Sequence, residues 1–237
     1  MLSFTEENYL KTLIQISLKE NANGESGTNE LAENLGVKPS TVNDMLKKLR
    51  EKKLIDYEKY GKIKLTPSGY KTGMYILRKH RLWETFLYNK LNFSWDEVHP
   101  IAEQLEHIQS DALIDKLDQF LGYPEFDPHG DIIPNAKGEM KYKFNNVLSM
   151  LNENEICQMV AVKDNSAEFL KYVMSVGLGI NNIIKIHSKN AYDGMMKIEV
   201  NEAIYNVSKQ FTDNIYIVCE NCLNSKKCHA NCKKPVI

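Results

Sequence analysis

The segment between residues 28 and 65 constrains the fold most strongly, because helix and strand signals alternate there in a fixed order. Apolar residues recur at helical spacing in residues 28–35, where Thr28 is the expected N-cap, stop at Gly36, and resume after Pro39 in residues 40–50. Two short helices joined by a four-residue turn form a helix-turn-helix. We therefore predict this motif, with its second helix placed to enter the major groove of DNA.

A short hairpin is expected directly after the second helix. Residues 54–57 and 63–66 are strand-like, and the basic, Gly-containing residues 58–62 separate them. A basic hairpin in this position is typical of the wing of a winged helix-turn-helix. Pro67–Ser68–Gly69 then precedes a long helical pattern that reaches Leu91. A further helix, over residues 5–19 and capped by Thr5, is expected before the motif.

The predicted second helix and wing carry the residues expected to contact DNA. Polar side chains at the exposed start of the helix are suited to base and backbone contacts, and lysines around them are suited to phosphates. The residues are Ser40, Thr41 and Asn43 for the former, and Lys38, Lys47, Lys59 and Lys62 for the latter. A solvated surface charge is an equally good explanation for each lysine taken alone.

The charges of the chain are divided between two blocks, although its net charge is only −1. Between Lys38 and Arg81 there are thirteen Lys and Arg against four Asp and Glu. Between Leu82 and Asp131 there are eleven Asp and Glu against two Lys. This order favours a module that binds a polyanion followed by one that binds cations, with ordinary solvated helix faces as the alternative.

The second half of the chain changes from helical to strand periodicity. Two further helices are expected over residues 94–109 and 110–121, with Ser94 and Glu97 as a capping box and a kink or restart at Pro100. A Pro-rich loop over residues 122–138 follows. Beyond it we predict one helix at 166–176 and a small β-barrel; the strands are expected at 156–162, 183–186, 196–200, 203–205 and 215–218.

These elements predict a mixed α+β protein that is mainly helical. No apolar stretch approaches the roughly eighteen residues of a membrane-spanning helix. The first residues lack the basic start and apolar run of a secretion signal. A cytoplasmic protein without a membrane partner is therefore expected. No nucleophile–base motif or Gly-rich phosphate loop is present, so an enzyme is not expected.

Histidine and glutamate recur at helical spacing between residues 80 and 107. In each of two pairs the residues stand four apart and so share a helix face, and a Glu–His pair follows one turn later. These residues are His80 and Glu84, His99 and Glu103, and Glu106 and His107. Such mixed imidazole and carboxylate ligands favour a transition metal over Mg²⁺ or Ca²⁺. Surface ion pairs are the alternative for any single pair.

Residues 1–140 resemble the diphtheria toxin repressor family, specifically its manganese-transport-regulator branch. The resemblance rests on TEENYLK, on RKHRLWETFL, on VHPIAEQLEHIQSDALIDKLDQFLG and on DPHGDIIP. Residues 148–218, with LKYVMSVGL and a terminal IYIV, resemble the small domain related to the ferrous-transport A protein. The resemblance implies a DNA-binding domain over 1–72, a metal-binding and dimerisation domain over 73–140 and a small β-barrel over 148–218. Residues 219–237 are a Cys-rich tail beyond the resemblance.

The resemblance also assigns ligands to matching positions. Asn8, Glu103, Glu106 and His107 correspond to the primary, activating metal site. His80, Glu84 and His99 correspond to an ancillary site. In some members the β-barrel domain adds a ligand to this site, and Asp164 aligns with that ligand.

Two positions depart from the family pattern. Asn8 stands where characterised members have Asp or Met, and Lys11 stands where manganese types have a second carboxylate. These two differences speak against a two-metal manganese site. Glu103 replaces the cysteine of the iron branch, which favours harder ions. The cofactor expected is therefore Mn²⁺ or Fe²⁺.

The last nineteen residues contain four cysteines, Cys219, Cys222, Cys228 and Cys232, at ligand-like density. Four thiolates can bind structural zinc or an iron–sulfur cluster. A flexible tail with reactive thiols is the alternative.

The function expected is that of a metal-dependent regulator that binds double-stranded operator DNA as a homodimer and represses metal-uptake genes. A cation shared between the first helix and the later helices would set the separation of the two reading helices. A metal-independent winged-helix protein and, less well supported, a helical metalloenzyme are the alternatives.

Overall fold

The structure of the protein is a computed structural model that describes residues 2–19, 25–57, 62–140, 144 and 146–219. Its helices are α1 (Phe4–Lys19), α2 (Thr28–Leu35), α3 (Pro39–Glu51), α4 (Pro67–Leu91), α5 (Trp95–Leu105), α6 (Asp111–Phe120), α7 (Ala167–Ser175) and α8 (Lys209–Thr212). Its strands are β1 (Glu25–Ser26), β2 (Ile55–Tyr57), β3 (Ile63–Leu65), β4 (Ile156–Val162), β5 (Ile183–Lys189), β6 (Met196–Val200), β7 (Ala203–Val207) and β8 (Ile215–Cys219). The predicted mixed α+β class is confirmed.

The first part of the chain is a winged helix-turn-helix, as predicted. Helices α2 and α3 are joined by a short turn, and β1, β3 and β2 form a small antiparallel sheet in that order. The inward side chains of α3, Val42, Leu46 and Leu49, are fully buried in a core shared with α1, α2 and the wing. Helix α3 therefore keeps its first turn at the surface, where Ser40 and Thr41 are exposed.

Two predicted helix starts were wrong by one or two residues. Helix α1 begins at Phe4, and Ser3, rather than Thr5, caps it by accepting a hydrogen bond from the backbone N–H of Glu6. Helix α2 begins at Thr28 itself, with Gly27 in the N-cap position. At the start of α1, Ser3 and Glu6 form a reciprocal capping pair: each side chain accepts a hydrogen bond from the backbone N–H of the other residue. Ser3 is therefore a better cap than Thr5, which has no Glu three residues later.

Helix α4 connects the winged motif to the rest of the molecule. Thr66 caps its start by accepting from the backbone N–H of Gly69. Gly69 lies so close to the wing that a Cβ atom there would stand 1.8 Å from the carbonyl oxygen of Leu54. The helix then packs against α1 and α5, so residues of its middle are buried among three helices.

Helices α5 and α6 follow as predicted, and the capping box of Ser94 and Glu97 is present. Helix α5 continues through Pro100 and does not restart there. It ends at Leu105, earlier than expected, so Glu106 and His107 lie in the turn that follows. Among the described residues, no helix is long and apolar enough to cross a lipid bilayer.

The C-terminal part is a five-stranded antiparallel sheet in the order β7-β6-β5-β4-β8, covered by α7 and α8. Its closure into a barrel stays a prediction. The loop before it docks on β4: the carbonyl of His129 accepts from the N–H of Val162 at 3.0 Å. Gly130 has a φ of 84°, and a Cβ there would lie 2.0 Å from the carbonyl oxygen of Val160. The loop therefore joins the helical part directly to the sheet.

Candidate metal centre

Helix α4 presents His80 and Glu84 one turn apart on its buried face. The Nε2 atom of His80 lies 3.0 Å from Oε1 of Glu84, and its Nδ1 atom lies 2.5 Å from Oε2 of Glu106. All three residues are at most 3% exposed. One imidazole therefore bridges two carboxylates that come from separate parts of the chain.

Helix α5 adds His99 and Glu103 to the same cluster. The Nδ1 atom of His99 lies 3.1 Å from Nε2 of His80 and 3.2 Å from Oε1 of Glu84, while its Nε2 lies 3.4 Å from Oε1 of Glu103. One ligand atom each of His80, His99 and Glu103 falls within 4.8 Å of the others. Glu103 and Glu106, predicted for the primary site, thus lie in one cluster with the three residues predicted for the ancillary site.

The carboxylates hold a proton on His80. Burial by itself lowers the pKa of His80, but the charge of Glu84 and the hydrogen bonds to Glu106 and Glu84 outweigh it and raise the pKa to about 9. Burial also opposes ionisation of Glu84, yet the neighbouring His80 keeps its pKa well below the usual value. A cation that bound at His80 would displace this proton, because a ligating imidazole must be neutral.

Lys11 of α1 also enters the cluster. Its Nζ atom lies 2.5 Å from Oε1 of Glu103 and 2.7 Å from Oε1 of Glu106, and the side chain is buried. The sequence indicated Lys11 only as a missing carboxylate. The structure instead shows that its ammonium joins α1 to two of the predicted ligands.

The side chain of His107 contacts α1 and is not part of the group formed by His80, His99 and Glu103. Its Nδ1 atom lies 2.6 Å from Oε2 of Glu7 on α1, a residue that the sequence did not single out. Asn8, the neighbour of Glu7, has an Oδ1 atom that is buried and has no hydrogen-bond partner. Asn8 therefore offers a free oxygen close in sequence to two residues, Glu7 and Lys11, that contact the cluster.

A second group of ligand atoms was missed by the sequence reasoning. Glu84, Asp127 and His129, all buried, bring one ligand atom each within 4.8 Å of one another. Asp127 and His129 belong to the DPHG motif, which the sequence analysis used as part of the family resemblance and not as a ligand motif. Because the three residues are separated by a loop, no helical spacing indicated their proximity.

The ring of His129 is oriented for coordination. Its Nε2 atom lies 3.1 Å from the carbonyl oxygen of Trp95, which can only accept, so Nε2 carries the hydrogen. In a neutral ring the lone pair is therefore on Nδ1, which is buried, has no hydrogen-bond partner and lies 3.9 Å from Oε2 of Glu84. Burial, with the charges of Asp131 and Glu84, raises the pKa of Asp127 well above its usual value.

The residues present fit a divalent transition metal. Three buried acceptor atoms, Oδ1 of Asn8, Oδ2 of Asp127 and Nδ1 of His129, lack hydrogen-bond partners, which is costly unless another group satisfies them. The donor set consists of oxygen and imidazole nitrogen, which suits Mn²⁺ and Fe²⁺. Asp164 is not in either cluster; its Oδ1 accepts from the backbone N–H of Ser166.

The residues predicted to contact DNA lie partly where expected. Lys38, Ser40 and Thr41 are exposed around the start of α3, and Lys62 is exposed beside the wing. Lys47 is exposed but pairs with Asp44 at 2.9 Å. Asn43 is half-buried, and its Oδ1 accepts from the hydroxyl of Tyr57 on β2 at 2.5 Å. Lys59 lies outside the described residues.

Three family models match the chain. They are described as "Iron dependent repressor, N-terminal DNA binding domain" over residues 1–63, "Iron dependent repressor, metal binding and dimerisation domain" over 66–135, and "FeoA domain" over 147–219. Among curated proteins, the HTH-type transcriptional regulator MntR of Geobacillus kaustophilus is 32% identical over 117 residues, which are 49% of this chain and 80% of the relative. The chain belongs to the iron-dependent repressor family.

A solved structure supports membership of the iron-dependent repressor family along most of the chain. A manganese-dependent transcriptional repressor in complex with manganese aligns with a TM-score of 0.80 and 32% identity, covering 90% of this chain and 99% of the other. By contrast, a probable metal transport system membrane protein of Chlamydia trachomatis is 43% identical over 70 residues, and the match spans 16% of its length. The similarity to the repressor thus extends over the helical units and the sheet.

Proposed function

We propose that this chain is a metal-dependent transcriptional regulator that binds double-stranded operator DNA as a homodimer and represses metal-uptake genes. One observation carries the proposal: a buried cluster of imidazoles and carboxylates joins α1, which is part of the winged unit, to α4 and α5. A cation held there would supply positive charge between these helices. The orientation of α3 relative to the helical unit then depends on the side chains in the cluster.

The ligands proposed follow the predicted sets, with additions from the structure. Asn8, Glu103, Glu106 and His107 are proposed for the primary site. His80, Glu84 and His99 are proposed for the ancillary site, to which Asp127 and His129 are added because their free atoms lie near Glu84. Asp164 remains a candidate because its neighbour Asn165 reaches Asp131 of the same loop at 3.3 Å.

The cation proposed is Mn²⁺ or Fe²⁺. The side chains in both clusters provide oxygen and imidazole nitrogen, without sulfur from any described residue. The relatives support both ions, since the matching models are named for iron and the aligned structure is named for manganese.

The homodimer is proposed on an apolar surface of the helical unit. Leu91 at the end of α4, together with Phe120 and Tyr123 around the end of α6, is more than half exposed. The ends of α4 and α6 lie together, since Nζ of Lys90 is 5.4 Å from the centroid of the Phe120 ring. Exposed apolar surface is typical of interfaces. A twofold dimer would present two α3 helices to half-sites about one DNA turn apart.

We further propose that residues 1–72, 73–140 and 148–218 act as DNA-binding, metal-binding and sheet units of a cytoplasmic protein. The role proposed is binding rather than catalysis. A curated relative that matches over 80% of its own length is named as a transcriptional regulator, which supports this.

A gel-shift titration with and without metal tests the proposed function. Operator fragments from beside metal-uptake genes should be bound in Mn²⁺ or Fe²⁺ and released on addition of a chelator. A metal-independent winged-helix protein would bind equally in both conditions, and a metalloenzyme would bind in neither.

The two wing lysines are expected to contact phosphates. Lys59→Ala and Lys62→Ala should each weaken binding to all sequences alike and lower the slope of log affinity against log salt by about one. Lys137→Ala, which removes an exposed lysine of the loop before the sheet, should leave the slope unchanged. Unaltered slopes in both wing variants would contradict the wing assignment.

The cysteine tail is proposed to hold a separate metal. Cys222, Cys228 and Cys232 lie outside the described residues, while the backbone of Cys219 ends β8. Replacing the first three by serine in the full chain should remove one zinc ion or iron–sulfur cluster per chain and leave Mn²⁺ binding intact. Equal zinc and iron contents before and after replacement would support the alternative of free thiols.

A further inference from the structure

Glu7 of α1 holds His107 through one of its two carboxylate oxygens. Its Oε2 atom lies 2.6 Å from Nδ1 of His107, while its Oε1 accepts from Nε2 of Gln109 at 2.7 Å. Glu7 is 4% exposed and His107 is 8% exposed. The contact therefore joins α1 to the turn after α5 across a separation of 100 residues in the sequence.

The same helix also fixes the plane of the imidazole. Phe4 stacks on His107 with ring centroids 4.4 Å apart and an angle of 14° between the planes. The carboxylate at Nδ1 fixes the rotation of the ring within that plane. Since Nδ1 donates to Glu7, Nε2 is the nitrogen left for coordination.

We propose that Glu7 is a positioning residue that couples metal binding at His107 to the orientation of the DNA-binding unit. This inference rests on the proposed function and adds to it the route by which α1 senses the cation. The carboxylate does not bind the cation itself. It accepts the hydrogen of the ligating imidazole, which fixes the tautomer and the orientation of the ring.

The other residues of α1 near the centre are poorly suited to this role. Asn8 offers a neutral amide oxygen, and the ammonium of Lys11 repels a cation. Of Glu7, Asn8 and Lys11, Glu7 is the one with a negative charge, and its carboxylate contacts the imidazole of His107. A shift of α1 would break its contact with His107 and weaken metal binding. By reciprocity, metal binding then stabilises the position of α1 that keeps the contact.

The test uses the full-length protein with Glu7→Ala and the isosteric Glu7→Gln. Mn²⁺ affinity is measured by titration of the metal alone, and operator affinity is measured in saturating Mn²⁺ and in chelator. Loss of a carboxylate behind a ligating histidine typically lowers metal affinity by about 10–100-fold. We expect that loss in Glu7→Ala, and a smaller one in Glu7→Gln, whose amide oxygen can still accept from His107.

The ratio of operator affinities with and without Mn²⁺ separates coupling from general stability. It should fall in both Glu7 variants even at saturating metal, whereas a merely structural role would lower both affinities equally. The visible spectrum of bound Co²⁺ should also change, because His107 is no longer held. Glu6→Gln is the matched control. Glu6 is a similarly buried carboxylate of α1, but it pairs with Lys52 rather than with His107. The Glu6→Gln variant should therefore leave the ratio of operator affinities unchanged.

Two outcomes are decisive, and a second variant covers a failure to fold. A wild-type ratio and wild-type Mn²⁺ affinity in Glu7→Gln and Glu7→Ala, with the native protein still activated by metal, would overturn the inference alone. A ratio of one in the native protein would instead overturn the proposed function. If Glu7→Ala does not fold, as judged by circular dichroism, Glu7→Gln decides, since it preserves volume and shape.

Discussion

Glu106→Ala is expected to abolish metal-dependent DNA binding. Glu106 is fully buried and contacts both His80 and Lys11, so it is the residue through which α1, α4 and the end of α5 meet. Without it the proposed primary site loses a carboxylate, while Lys11 keeps its contact with Glu103. Operator affinity in Mn²⁺ should fall to the level that the native protein shows in chelator.

The loss of operator affinity is measured by gel shift, with controls for folding and for the site of the substitution. Circular dichroism should show that Glu106→Ala keeps its helices, and Glu106→Gln, which preserves the volume, should show the same loss of response. Glu97→Gln alters a carboxylate in the first turn of α5, the helix that precedes Glu106. Glu97 is the cap partner of Ser94, so this variant should keep metal dependence. Metal-stimulated binding by Glu106→Ala would reject the proposed site.

Gly130→Ala is expected to detach the loop that contains Asp127 and His129 from β4. The positive φ costs a non-glycine residue roughly 1–2 kcal/mol. In addition, the new Cβ would meet the carbonyl oxygen of Val160 at 2.0 Å and the Cα of Ala161 at 2.6 Å, both of them backbone atoms. The loop must therefore move, and the hydrogen bond from Val162 to His129 is lost.

Thermal unfolding and metal stoichiometry measure this effect. Gly130→Ala should lower the melting temperature and remove the metal that Glu84, Asp127 and His129 are proposed to hold. Gly122→Ala is the control, because Gly122 also has a positive φ, of 78°, but no atom lies within 4 Å of its Cβ position. Equal losses in the two variants would mean that the contact with β4 contributes nothing beyond backbone strain.

Local spacing predicted the parts of this protein that depend on local geometry. The helix-turn-helix and the wing follow from the change between periods of 3.6 and 2, and the clustering of His80, Glu84, His99 and Glu103 follows from residues four apart on helices. The ends of elements were less accurate. Ser3 rather than Thr5 caps α1, because the cap depends on which residue has a Glu three positions on.

Contacts between distant segments could not be predicted from spacing. Glu7 looked like an ordinary acidic residue in the first turn of α1, where carboxylates are common, and its contact with His107 spans 100 residues. Lys11 looked unfavourable for a cation site, yet its ammonium lies between two carboxylates. His129 became a candidate only once the loop was seen to return beside α4.

Glu84 turns one oxygen toward His80 and His99 and the other toward His129. A single side chain is therefore common to both groups of ligands, and rotating it to serve one withdraws it from the other. Because the loop with His129 is fastened to the sheet, a ligand or partner that shifted the sheet would alter how firmly the helices hold their cation. Such a shift would change the metal affinity of the helical unit without any contact between the sheet and DNA.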